Sequence, residues 1–148
     1  MSHTLMNFIP AMFGSSDICP EVIFEYIKSI SGKNVVGVCD PVFLLPKEEY
    51  EQIAKPIKVK KPYLLLYSVV NNANMLAAAK DYADKQGLTL VEICQNKKSH
   101  EKHIQLSAAS PEEFLGAIKD AEIVITNSFH GTALSIIFNK NFYVFDNK

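Results

Sequence analysis

The sequence predicts an α/β fold, a parallel Rossmann-like sheet with helices on both faces. Three observations carry that expectation. Apolar runs of strand length, Tyr63 to Val70, Leu88 to Ile93 and Glu122 to Thr126, alternate with segments of helical spacing. Asn, Ser-Pro and Gly punctuate the junctions between them. Strand–helix alternation implies parallel pairing through right-handed crossovers. The chain has 148 residues, 48% of them hydrophobic and 21% charged, enough for one domain with a buried core.

The elements follow in order. Pro20 suits a first helical turn, and Glu21 to Ile30 places Val22, Ile23, Tyr26, Ile27 and Ile30 at helical spacing until Gly32 stops the helix. Asn34 to Cys39 is β-branched and predicts a short strand ending at Asp40-Pro41. Pro46 opens a short surface helix over Lys47 to Ala54. Lys55 to Pro62 holds two prolines and four lysines without interleaved aromatics, and reads as a solvated linker between two structural units.

After the strand Tyr63 to Val70, Asn71 and Asn72 are candidate caps for a helix over Ala73 to Gln86, which Gly87 ends. Leu88 to Ile93 is a strand, Asn96 to Lys102 a polar loop, and His103 to Leu106 a short strand. Ser110-Pro111-Glu112-Glu113 is a capping box with proline at the first helical position, leading Phe114 to Asp120. Glu122 to Thr126 is a buried strand, Gly131 to Phe138 an apolar helix, and Phe142 to Phe145 a last strand. The chain stops three residues later, so the second unit is expected to be C-terminally incomplete.

Composition excludes several classes of function. A formal net charge of −1 creates no field that draws the chain to nucleic acid or an anionic membrane. No apolar run reaches the ~18 residues of a membrane span. The apolar stretch Leu5 to Gly14 follows only His3, and the first Lys is Lys28, so no secretory signal is indicated and a cytoplasmic location is expected. Cys19, Cys39 and Cys94 are odd in number and form no CxxC pair, which leaves free thiols. His100 and His103, with Glu101 and Cys94, match no closed metal site, so no metal is expected.

All 15 basic residues are Lys; the sequence contains no Arg. An anion must then be held by backbone amides, helix N-termini, hydroxyls, Lys or His, or by an Arg from a second chain. The segment Thr126-Asn127-Ser128-Phe129-His130-Gly131-Thr132 sits where a buried strand hands over to a helix, the place where open α/β sheets bind ligands. Asn127 or Ser128 can cap the helix, and Gly131 lets backbone approach a ligand. The helix dipole disfavours a protonated His130, whereas a bound phosphate dianion favours it, which suits a general acid. A capping or core histidine is the alternative. Ser68 and Asn71, at the end of a buried strand, could touch a donor or cap the next helix. Asp40 suits an Asx turn before Pro41.

Asp40-Pro41-Val42-Phe43-Leu44-Leu45, Tyr63 to Tyr67, Ser110 to Phe114, and Ala121 to Phe138 with its Thr-Asn-Ser-Phe-His-Gly segment together resemble the polysaccharide pyruvyl transferase family. The resemblance covers about residues 35 to 145. It implies part of a GT-B-type two-domain fold. Residues 1–46 would end a first Rossmann-like half, 47–61 would link, and 62–148 would form most of a second half. It also implies transfer of a pyruvyl group from phosphoenolpyruvate to sugar hydroxyls of a bacterial polysaccharide or its precursor, forming a ketal. His130 would be catalytic; Asn127, Ser128, Gly131, Thr132, Ser68 and Asn71 would bind substrate. The partners implied are phosphoenolpyruvate and a glycan or lipid-linked sugar, with no cofactor and no nucleic acid. Some members carry Arg where this chain has Ser128. A truncated, non-catalytic domain that binds a partner or itself, and a nucleotide-sugar-dependent domain of the same fold, are the alternatives. Exposed apolar surface on an unfinished half-fold predicts a homo-oligomer.

Overall fold

The computed structural model describes residues 20–94 and 103–146. The chain divides into two compact units, Met1–Leu44 and Leu45–Lys148.

In the first unit, α1 spans Pro20–Ser31 and ends at Gly32, whose φ of 62° is the left-handed conformation glycine adopts without a Cβ penalty. The strand expected over Asn34 to Cys39 does not form a ladder; the described backbone there has a single bridge at Val35. Val36 and Val38 remain 47% and 48% exposed. β-branched residues favour strands by packing on a pleated, half-buried surface, and that packing is missing at both valines. Asp40 Oδ1 accepts the Val42 N–H at 2.9 Å, the expected Asx geometry, and opens a 3-10 turn over Pro41–Phe43.

The second unit carries five strands: β1 Tyr63–Tyr67, β2 Thr89–Ile93, β3 Ile104–Leu106, β4 Ile123–Thr126 and β5 Asn141–Val144. All pair in parallel, in the order β3-β2-β1-β4-β5. Its helices are α2 Lys47–Ile53, α3 Ala73–Gln86, α4 Pro111–Asp120 and α5 Phe129–Ile137. The α/β Rossmann-like arrangement expected from the sequence is therefore present. Residues 47–61, expected as a linker, lie within this unit. The Lys55 N–H donates to Glu112 O at 2.8 Å, and the Lys55 carbonyl lies against Gly116 of α4 so closely that no side chain would fit between them.

Strand alternation sends side chains to two faces. On one, Leu64 and Leu66 of β1, Leu90 of β2, and Ile123 and Ile125 of β4 pack on Met75, Ala79 and Ala83 of α3. On the other, the Tyr63 hydroxyl donates to Ala117 O of α4 at 2.7 Å, and the Tyr67 ring packs on Phe114, centroids 4.6 Å apart. Burial, reinforced by nearby Asp120, raises the Tyr63 phenol well above its ordinary range. The caps are local and legible: Asn72 Oδ1 takes the Met75 N–H, Ser110 and Glu113 form the reciprocal box, and Gly87 closes α3 at φ 65°.

Candidate functional site

The sheet order places a topological switch point between β1 and β4. The chain leaves β1 through α3 toward β2 on one side and returns through α4 to β4 on the other. A crevice at such a point, outside the carboxyl ends of the strands, is where open α/β sheets bind ligands. The sequence-predicted residues fall there: Ser68 and Asn71 follow β1, and Asn127 to Thr132 follow β4.

Polar side chains lock the two segments together. Thr126, fully buried, donates its hydroxyl to Tyr67 O at 2.8 Å and accepts the Ser128 N–H at 3.0 Å. Asn127, 6% exposed, accepts the Val69 N–H at 2.9 Å and donates to Val70 O at 2.8 Å. Its amide thus shapes the loop after β1. Ser128 is the N-cap of α5, accepting the Gly131 N–H at 3.3 Å. The Thr132 hydroxyl donates to Ser128 O at 3.0 Å. α5 begins at Phe129, two residues before the predicted start, because the Ser128 cap closes a full turn ahead of Gly131.

Gly131 is buried where an added Cβ would lie 2.5 Å from Thr126 Oγ1 and 3.0 Å from Tyr67 Cδ1. The start of α5 can approach β1 and β4 only without a side chain there. His130 occupies the first turn and is exposed, its ring edge-on to Phe129 at 5.3 Å. It is not enclosed by aliphatic side chains. Ser68 is buried against the loop, whereas Asn71 is exposed and Asn72 supplies the α3 cap. α5 has no acidic residue in its first turn, so its positive dipole end is not neutralised from within the helix.

A family model for polysaccharide pyruvyl transferase matches residues 24–148. The chain belongs to the polysaccharide pyruvyl transferase family. No curated protein and no solved structure matches it. Membership of the polysaccharide pyruvyl transferase family implies pyruvyl transfer with a polysaccharide acceptor. No helix among the described residues is long and apolar enough to cross a membrane.

Sequence reasoning missed two polar groupings in this pyruvyl transferase domain. A cavity of about 350 Å³ opens at the carboxyl ends of β1, β2 and β3, lined by Tyr67, Ser68, Cys94, Ser107, Ser110 and Phe114 among others. Its walls come from separate crossovers, so no single segment signals it. In the second grouping, Glu92 Oε2 lies 2.7 Å from His103 Nε2 and accepts from Gln105 Nε2 at 2.8 Å. The signal was a glutamate inside an apolar strand, but only the register Glu92↔Gln105 pairs it. His100 and Glu101, weighed as metal ligands with His103, lie outside the described residues.

Proposed function

We propose that this chain transfers the pyruvyl group of phosphoenolpyruvate to two hydroxyls of one sugar in a bacterial polysaccharide or its lipid-linked precursor, closing a cyclic ketal. The observation that carries the proposal is an exposed His130 in the opening turn of α5 at the sheet's switch point. In the proposed course, the enol methylene carbon takes a proton from His130 and becomes a methyl group. The resulting cationic carbon accepts one sugar hydroxyl, the C–O bond to phosphate breaks, and a second hydroxyl closes the ring. Two hydroxyl protons are released; one returns to His130 and the other leaves on inorganic phosphate. The atoms balance without an oxidant or a net proton.

The backbone at the start of α5, with the Ser128 hydroxyl, would hold the phosphate or carboxylate, and Thr132, whose hydroxyl donates to Ser128 O, would steady that turn. Gly131 lets the start of α5 close onto β1 and β4, which sets its opening amides at the switch point, and Asn127 ties the β1 loop to the same turn. The chain would act in the cytoplasm, where phosphoenolpyruvate is available. Self-association is proposed through the outer edge of β5, where Tyr143 and Val144 are exposed; a monomer by light scattering would refute it.

Incubation with phosphoenolpyruvate and a sugar acceptor tests the reaction through phosphate release. His130→Ala is expected to lower the rate by about 10²–10⁴-fold, the range for a lost general acid. Equal release by wild type and His130→Ala, or none by either, would count against catalysis by this chain.

A further inference from the structure

We infer that the cavity at the carboxyl ends of β1, β2 and β3 seats one neutral sugar ring of the acceptor, an inference that rests on the pyruvyl transfer proposed above. The cavity adjoins the start of α5. Tyr67 forms part of its wall and also packs where a Gly131 side chain would otherwise stand. Ser68 lines it, and the next amide, Val69 N–H, is held by Asn127. A ring bound there lies beside the anion-holding turn rather than inside it.

Size and chemistry select the occupant. About 350 Å³ falls at the low end of small-molecule sites, which run ~300–1,000 Å³, and fits one ring. The lining offers the hydroxyls of Ser68 and Ser107, which both donate and accept, and no Lys or His; the Ser110 hydroxyl is taken up by the α4 cap. Tyr67 and Phe114 supply an aromatic wall for the apolar face of a pyranose.

The α4 N-terminus reaches this cavity but is already served by its own acids. The Ser110 hydroxyl donates to Glu112 at 2.6 Å, and Glu113 accepts the Ser110 N–H at 2.9 Å. That hydroxyl bond, the largest cause, holds the Glu112 carboxyl below its usual range. Pro111 has no N–H to offer. The two carboxylates do not line the cavity, but their negative charge beside it disfavours phosphate and carboxylate ligands and leaves an uncharged one unopposed. α5 has no acid in its first turn, so the two helix starts divide an anionic donor from an uncharged acceptor.

Amide chemical-shift mapping on the ¹⁵N-labelled full chain tests this. The probes are methyl glycosides of galactose, glucose and mannose, then phosphoenolpyruvate, then uridine. At least one glycoside is expected to move the amides of Ser68, Cys94 and Ser107, with phosphoenolpyruvate moving those of Gly131 and Thr132. Ala109→Trp, which fills the cavity, should abolish the glycoside shifts and spare the phosphoenolpyruvate shifts. Ser107→Ala, a milder change, should weaken glycoside binding about fivefold. No glycoside shift at these amides, a shift that survives Ala109→Trp in a folded variant, or a response to uridine alone overturns the inference. Glycoside shifts without any phosphoenolpyruvate response at Gly131 and Thr132 would instead count against the proposed donor, leaving the sugar seat standing.

Discussion

Asn127 and His130 stand three residues apart and have opposite tasks. Asn127 is buried with both ends of its amide bonded to the β1 loop; His130 is exposed in the first turn of α5, its ring edge-on to Phe129. Asn127→Ala removes two bonds and leaves Val69 N–H and Val70 O to find other partners, which should cost about 2–3 kcal/mol in urea unfolding. His130→Ala should leave the unfolding midpoint close to wild type. The pair was legible as a strand-to-helix signal, but sequence could not say which side chain faces inward, because that depends on where the β1 loop lies. Tyr63 carries a pH prediction. Its phenol is raised in the folded state, so the proton it retains stabilises the fold fully below the unfolded tyrosine value, about 10. As pH climbs above that value the unfolded chain loses the proton first and stability falls toward the folded value. Tyr63→Phe should flatten that alkaline loss, at the cost of the bond to Ala117 O, about 1 kcal/mol at neutral pH. Urea midpoints measured across alkaline pH check both effects; parallel curves for the two proteins would refute the first.

Among the elements, those with local causes were legible and those with distant causes were not. Pro20 and Gly32 bound α1, the Ser110–Glu113 box starts α4, and Gly87 ends α3, all through contacts within a few residues. The strand expected at Asn34 to Cys39 had the right residues, yet strand formation depends on burial between neighbours, which composition does not encode. Lys55 to Pro62 reads as a linker because four lysines and two prolines stand there, but the backbone at Lys55 is an interface. Lys55 N–H bonds Glu112 O, and the Lys55 carbonyl packs on Gly116. Gly116 therefore serves as a docking notch in α4. Gly116→Ala would help an isolated helix by about 1 kcal/mol, yet here the new Cβ meets a backbone carbonyl that cannot rotate away. The expected result is a net loss of about 3 kcal/mol, seen as a lower urea midpoint with an unchanged slope. A stabilised Gly116→Ala protein would mean that α2 and residues 55–56 do not dock on α4.

At the scale of the whole second unit, the parallel sheet has two chemically different poles, and cavity size and topology point to opposite ones. The larger cavity, about 510 Å³, lies at the amino ends of the strands among Pro62, Tyr82, Leu88, Glu122, Asn141 and Tyr143. The smaller one lies at the carboxyl ends beside the switch point. Topology favours the carboxyl pole, because the chain splits around β1 there and α5 opens with its amides toward that end. At the amino pole, Thr89 N–H donates to Pro62 O and Glu122 N–H to Tyr63 O, so these two amides report on that end. A ligand that binds the native state slows amide exchange most in the segment whose opening it opposes. Phosphoenolpyruvate should therefore slow exchange at Val69, Gly131 and Thr132 while leaving Thr89 and Glu122 unchanged, as measured by hydrogen exchange on the full chain. Protection confined to Thr89 and Glu122 would move the ligand to the opposite pole and remove His130 from the chemistry.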